Sequence, residues 1–367
     1  MVKGSFNVVI GAQAGSEAKG KLSAYLVEKF KPEVLTMASS PNAGHTVVVG
    51  DRKLVTYHLP AGLAKANYGV TVVLGPSSII RPDIFHKELV QVSKWAKINR
   101  LVIDPRATII TPGMVKTEEG ILTKIGSTAQ GVGMARVARI MRVGTVRMAD
   151  IWDNFKSMSE SGVMMVMANS ASHLHKHLNS GSTVLHESTQ GFDLCLDHGL
   201  DPTYCTTRNI TTGGALAEMG IPPCFLGDVY GVMRPYPIRV NNRDGYSGPY
   251  ADAVEITWDS IRQVCGAPHD ITEMTTTTKL ERRVFTLSWP RLRYFHRICD
   301  PNYLCLQFAN YIDWSVYGSE AVYGSEVGIP YRIAKFIDEL QTEFSPIAYI
   351  GTGPDHTHMI DMGIDYA

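Results

Sequence analysis

The sequence predicts an α/β fold: a largely parallel central sheet with helices on both faces and a phosphate-binding loop near its start. Three observations predict it. First, short apolar, β-branched runs bounded by turn residues recur at Phe6–Ile10, Val34–Ala38, Thr71–Leu74 and Leu101–Ile103, as in strands buried on both faces. Second, helical patterns lie between or after them, at about 19–30, 83–97 and 112–124, and such alternation argues for a parallel sheet. Third, the first run leads directly into Gly11-Ala12-Gln13-Ala14-Gly15-Ser16-Glu17-Ala18-Lys19-Gly20-Lys21. A strand, a glycine-rich turn and a helix N-terminus gather backbone N–H groups, a helix dipole and a lysine around an anion.

The remaining elements follow in order. Gly15-x4-Gly20-Lys21 reads as a P-loop, except that Leu22 stands where Ser or Thr would hold magnesium. Val47–Val49 and Leu54–His58, joined by Gly50-Asp51-Arg52, predict a hairpin. Residues 126–135, 203–214 and the threonines 275–278 are rich in Gly, Ser or Thr, suited to anion-facing loops rather than core. Tyr331–Phe344 predicts an amphipathic helix, Ile347–Ile350 a strand and Gly351-Thr352-Gly353-Pro354 a turn. With no repeat, low-complexity tract or clear linker, residues 1–367 are expected to form one continuous domain with insertions.

Lys+Arg and Asp+Glu both number 35, so the formal net charge is zero. That argues against a nucleic-acid or membrane-surface binder. No run approaches the ~18 apolar residues that span a bilayer. The opening Met-Val-Lys-Gly-Ser enters a strand almost at once and is expected not to be a signal peptide. None of the 6 cysteines forms a C-x-x-C pair, which suits a reducing compartment, with the cytoplasm as the default.

Pro41-Asn42-Ala43-Gly44-His45-Thr46 follows the second predicted strand. It offers an amide, a closely approachable backbone and a titratable donor. Together with the first loop it becomes specific. G-x-Q-x-G-x-E-x-K-G-K followed by N-A-G-H-T resembles adenylosuccinate synthetase, and further blocks agree in family order. Gly126-Ser127-Thr128 to Gly133 resembles G-T-T-G-R-G-I-G, and Glu187-Ser188-Thr189-Gln190-Gly191 resembles E-G-A-Q-G. Cys205-Thr206-Thr207 to Gly214 resembles V-T-S-S-N-T-T-A-G-G, and Gly351 to Asp355 resembles S-T-G-P-D.

The resemblance implies a Mg2+-dependent ligase that phosphorylates the 6-oxygen of a purine nucleotide and then displaces the phosphate with aspartate. It implies that Lys19 and the loop around Gly15, Glu17, Ala18 and Gly20 hold the donor phosphates with Gly44, His45 and Thr46, Glu17 orienting the loop by hydrogen bonds. His45 would stabilise the transferring phosphoryl group and Gln190 the purine near its 6-oxygen. The acceptor nucleotide would lie against Ser16, Asn42, Ala43, Thr128, Gln190, Thr206 and Arg139, the arginine coming from the second subunit of a homodimer. Arg136 and Arg142 are alternatives for that arginine. Ser16 and Gly44 would face the metal. The donor nucleoside would meet Arg282, Gln307, Phe308, Asn310, Gly351, Thr352, Gly353 and Pro354. Aspartate would meet Thr275, Thr276, Thr277, Thr278, Lys279 and Arg282.

Three departures carry more information. Ser16 replaces the family's loop aspartate, its base on the ring N–H of inosine monophosphate. Serine is smaller and accepts a hydrogen bond from a 2-amino group, as guanine has. Phe308 and Asn310 replace the lysine and aspartate that recognise a guanine donor, which favours adenine. Leu280 falls where an arginine would touch the ribose 2′-hydroxyl, which suits a deoxyribose. Together they match a bacteriophage branch that joins aspartate to dGMP with ATP or dATP, for DNA carrying 2,6-diaminopurine. An ordinary adenylosuccinate synthetase on IMP with GTP is the first alternative, opposed by Ser16 and Asn310; a non-catalytic nucleotide binder is the second. His173, His175 and His177 could clamp a metal at helical spacing, but a solvated helix face is the default.

Overall fold

The computed structural model describes residues 3–122, 127–241, 247–275, 279–321 and 328–364. Its centre is a 10-stranded sheet. In spatial order the strands are Met165–Met167, Ile98–Ile103, Val70–Leu74, Val34–Met37, Thr183–Glu187, Ser5–Gly11, Leu226–Met233, Tyr303–Leu306, Ile347–Gly351 and Met359–Asp361. Neighbours run parallel except the last pair.

The period of two along a strand sends successive side chains to opposite layers. Val9 joins the layer that holds Leu22, Leu26, Leu63, Phe85 and Leu89. Val8 and Ile10 join the layer of Leu174, Leu178, Leu216, Phe295 and Leu340. Both faces are therefore covered, and every residue of Val34–Met37 is buried, which is why these strands read as unbroken apolar runs.

The predicted helix from residue 19 is Lys19–Phe30. The one predicted over 83–97 is Pro82–Val92. It stops early because the chain must turn into the sheet: Lys97 N–H donates to Ala66 O, and the strand begins at Ile98. The predicted helix 112–124 is Pro112–Leu122. The predicted hairpin forms from His45–Val49 and Arg52–Thr56. Its second strand ends before His58, whose backbone N–H donates to the Glu88 carboxylate instead of a ladder. The C-terminal helix and strand are Tyr331–Glu343 and Ile347–Gly351.

The strand from Ser5 is flanked by Thr183–Glu187 on one side and Leu226–Met233 on the other. The early part of the chain winds away to one side of it and the late part to the other, so the strand order switches here. Open parallel sheets bind ligands at such a switch, beyond the carboxyl ends of the strands. Gly11, Glu187, Met233 and Leu306 end four adjacent strands on that edge. A small sheet of Ile238–Arg239, Arg283–Phe285 and Glu255–Ile256 stands beside it.

Candidate active site

A cavity of about 440 Å³ opens at this edge. Its floor is the phosphate loop. Gly15, Ser16 and Ala18 have φ of 94°, 59° and 65°. These left-handed turns fold the chain back so that the helix starting at Lys19 opens toward the cavity. That helix has no side-chain cap and no acidic residue in its first turn, which leaves its leading N–H groups and its dipole for an anion.

Glu17 organises the loop from beneath. It is buried, and its Oε1 accepts from Gln13 N–H at 3.2 Å and Gly15 N–H at 2.7 Å. Its Oε2 pairs with Lys19 Nζ at 2.8 Å. Lys19 thus reaches the cavity wall already balanced by an anion. The second lysine does something the P-loop pattern does not suggest. Lys21 Nζ donates to Gly353 O and His358 O, both at 2.7 Å, tying the helix to the C-terminal turn. Burial pushes the Lys21 ammonium down to about 7 against the opposing pull of Asp355.

His45 stands at the opposite wall, at the start of the hairpin. Its Nδ1 is hydrogen-bonded to Glu187 Oε1, and the other Glu187 oxygen accepts from Gly62 N–H at 3.3 Å. Both residues are buried. Gln190, three residues further on, lines the same cavity from a backbone with φ of 66°. Asn42 lines it too, with its Oδ1 accepting from Ser40 Oγ at 2.8 Å.

The third wall comes from beyond residue 230. Arg282 lines the cavity, and its Nη1 donates to Glu273 Oε2 at 2.7 Å. Burial would raise the Glu273 carboxyl, but Arg234 and Arg282 outweigh it and hold the group below its usual range. Phe308 adds an aromatic face, and Ile238 and Val240 add apolar surface.

The cavity therefore gathers Gly15, Ser16, Glu17, Ala18, Lys19, Gly20, Asn42, Ala43, Gly44, His45, Thr46, Thr128, Gln190, Thr275, Arg282, Phe308, Gly353 and Pro354 from the sequence expectation. Other expected residues lie behind its surface. Gln307 and Asn310 are buried, each with an amide oxygen lacking a partner. Thr352 Oγ1 donates to Ser319 O at 2.6 Å, bracing the C-terminal turn. A Cβ at Gly351 would lie 2.1 Å from Gln307 Oε1, so a larger residue there would have to displace that side chain. Thr206 N–H donates to Leu194 O at 2.7 Å, and Leu194 lines the cavity. Lys279 is exposed, while Thr276, Thr277 and Thr278 lie outside the described residues. Arg139 Nη1 donates to Pro76 O and Arg106 O of its own chain, both at 3.0 Å, and does not line this cavity. Arg136 donates to Ser77 O at 3.1 Å, and Arg142 is exposed just past the helix Val132–Met141.

Sequence reasoning gave no contact to Glu187, Arg234 or Glu273. Spacing carries no signal that residues 142 positions apart, such as His45 and Glu187, will share a hydrogen bond.

A parallel sheet with an anion-binding loop at its switch point, a buried histidine–carboxylate pair and an arginine-lined wall suit an enzyme that binds a nucleotide and handles its phosphates. The chain belongs to the adenylosuccinate synthetase family, whose model matches residues 8–165 and 148–314. These enzymes condense a purine nucleotide with aspartate. The chain is similar to N6-succino-2-amino-2′-deoxyadenylate synthase of Vibrio phage phiVC8, 34% identical over 313 residues, 83% of this chain and 86% of that one. The same enzyme of Acinetobacter phage SH-Ab 15497 is 31% identical, covering 96% of this chain and 92% of its own. The solved succinoaminodeoxyadenylate synthetase of cyanophage S-2L, bound to dGMP and dATP as an energy donor, matches with a TM-score of 0.81 and 29% identity over 99% of this chain and 97% of that one.

Proposed function

We propose that this chain condenses L-aspartate with dGMP, driven by ATP or dATP, to give succino-2-amino-2′-deoxyadenylate for diaminopurine DNA in a phage-infected cytoplasm. The γ-phosphoryl group passes to the guanine 6-oxygen, its bond to the β-phosphate breaking so that ADP or dADP leaves, and the ring N1 proton is lost to water. The aspartate amine then attacks C6, and the C6–O bond breaks to release phosphate.

The observation that carries this reading is Ser16 on the cavity floor, facing the same space as Gln190 and His45. A hydroxyl there accepts from a 2-amino group, where the family's carboxylate serves a hypoxanthine N–H. The phage relatives and the dGMP in the cyanophage enzyme support it. Lys19, the loop amides and His45 meet the charge of the transferring phosphoryl group. Gln190 holds the 6-oxygen, with Asn42, Ala43, Thr128 and Thr206 about the nucleotide. Phe308 stacks on the donor base and Asn310 reads it as adenine, with Gln307, Gly351 and Thr352 shaping the pocket behind Gly353 and Pro354. Arg282, Thr275 and the threonines after it take the aspartate carboxylates, with Lys279 alongside.

Ser16 and Gly44 line one cavity, and the Ser16 hydroxyl and Gly44 carbonyl, hard oxygen donors, would hold a magnesium ion together with triphosphate oxygens and water. When bound, the ion supplies charge neutralisation for phosphoryl transfer.

A homodimer completes the acceptor site in this reading. The helix Val132–Met141 exposes Val137, Ile140 and Met141, and Val143 follows at 71% exposure. That apolar face suits a second copy, which brings an arginine of this segment to its neighbour's nucleotide phosphate.

Product analysis tests the function directly. Incubation with dGMP, aspartate, Mg2+ and ATP or dATP should release phosphate and form the succinylated nucleotide. Faster turnover of IMP with GTP would overturn the reading.

A further inference from the structure

Two of the cavity walls meet on one buried ion pair. Arg234 follows the strand Leu226–Met233 and is 0% exposed. Its Nη1 donates to the backbone carbonyl of Ser16 at 3.2 Å and to Glu273 Oε2 at 3.2 Å. Its Nη2 donates to Glu273 Oε1 at 2.6 Å. The same carboxylate accepts from Arg282 Nη1 at 2.7 Å and from Tyr311 Oη at 3.1 Å. Arg282 keeps a buried Nε without a partner, and its side chain lines the cavity.

A buried ion pair of this kind is weak evidence of stabilisation, because well-packed apolar residues serve as well. It does supply fixed geometry. The planar guanidinium fork holds the Ser16 carbonyl and the Glu273 carboxylate at set angles. Ser16 keeps its left-handed backbone with that carbonyl pinned. Gln13 reinforces the link, donating from Nε2 to Arg234 O at 2.9 Å and accepting from Arg234 N–H at 3.0 Å.

We propose that Arg234 and Glu273 are positioning residues that hold the aspartate site and the acceptor site in register. Glu273 sets Arg282 for a substrate carboxylate. Arg234 sets Ser16 for the 2-amino edge of the purine. Because both arginines share one carboxylate, displacement at either end is transmitted to the other. The inference rests on the aspartate-plus-dGMP reading above.

Steady-state kinetics of Arg234→Lys and Glu273→Gln test it. The Arg234 guanidinium lies 4.2 Å from the Phe308 ring centroid; lysine keeps a cation there but lacks the fork. It should raise the KM of both aspartate and dGMP by about fivefold or more, and the ATP KM by clearly less. Glu273→Gln should raise the aspartate KM by about tenfold. A folded Arg234→Lys enzyme whose aspartate and dGMP KM values stay within about twofold of wild type overturns the proposal, as does an equal rise in all three KM values, the mark of a merely structural role. If Arg234→Lys does not fold, Glu273→Gln decides, and an unchanged aspartate KM overturns it. Wild-type enzyme that fails to join aspartate to dGMP overturns the functional reading and this proposal together, whereas active wild type with unaltered variants overturns this proposal alone.

Discussion

Glu187 and His45 meet in a buried hydrogen bond through the imidazole Nδ1. The ring is thereby fixed, and Nε2 is the nitrogen left for a ligand in the cavity. A carboxylate behind a histidine orients the ring so that the far N–H can donate toward a phosphoryl oxygen. His45→Ala should lower kcat by about 10²–10³ while dGMP binding changes little. Glu187→Gln should lower kcat less, since the amide still accepts from the ring but carries no charge. Single-turnover phosphate release together with equilibrium dGMP binding checks both; near-normal turnover in His45→Ala would show that the histidine does not act on the transferring group.

Acceptor choice is expected to turn on Ser16. Ser16→Asp places a carboxylate where the 2-amino group would lie, favouring an acceptor with hydrogen at that position. The ratio of kcat/KM for IMP over dGMP should rise. A ratio equal to wild type would remove Ser16 from the account of specificity.

Donor choice is expected to turn on Asn310 behind Phe308. Its buried, unpartnered amide oxygen can accept from an adenine amino group but cannot replace a carboxylate's two acceptors. Asn310→Asp should improve GTP relative to ATP. An unmatched polar edge in a dry pocket costs about 1–3 kcal/mol, or roughly 5- to 150-fold in that ratio. Competition between the two triphosphates in one assay reads it.

Acid stability is expected to depend on Asp104, at the end of the strand Ile98–Ile103. Burial alone would raise its carboxyl, but hydrogen bonds from Arg106 and Ser170 outweigh that and bring it from 3.8 to about 2. The folded value lies below the unfolded one. The stabilisation is therefore present above the unfolded value and is lost as pH falls through about 2. A shift of this size corresponds to about 2 kcal/mol. Asp104→Asn should cost that order of stability at neutral pH and little at pH near 2, as read by urea denaturation across the range.

The sheet was legible because strands buried on both faces leave unbroken apolar runs, as at Val70–Leu74. The phosphate loop was legible because its glycines and lysines are adjacent in sequence. Helix ends were less so. The pattern over 83–97 does not mark where Lys97 must rejoin the sheet. Long-range partners were not legible: Arg234 meets Ser16 across 218 positions and Glu273 across 39. Lys21 was misleading, since a lysine at the P-loop position suggests a phosphate ligand, yet it binds two carbonyls of the C-terminal turn.

The backbone at Ser16, with φ of 59°, bears on how such enzymes diversify. Aspartate and asparagine tolerate the left-handed region better than most residues. Serine already holds this conformation here, and aspartate adopts it more readily, so the left-handed backbone does not bar their exchange. On the proposed reading of Ser16, acceptor preference would change by exchanging a single side chain on a loop whose path is already set.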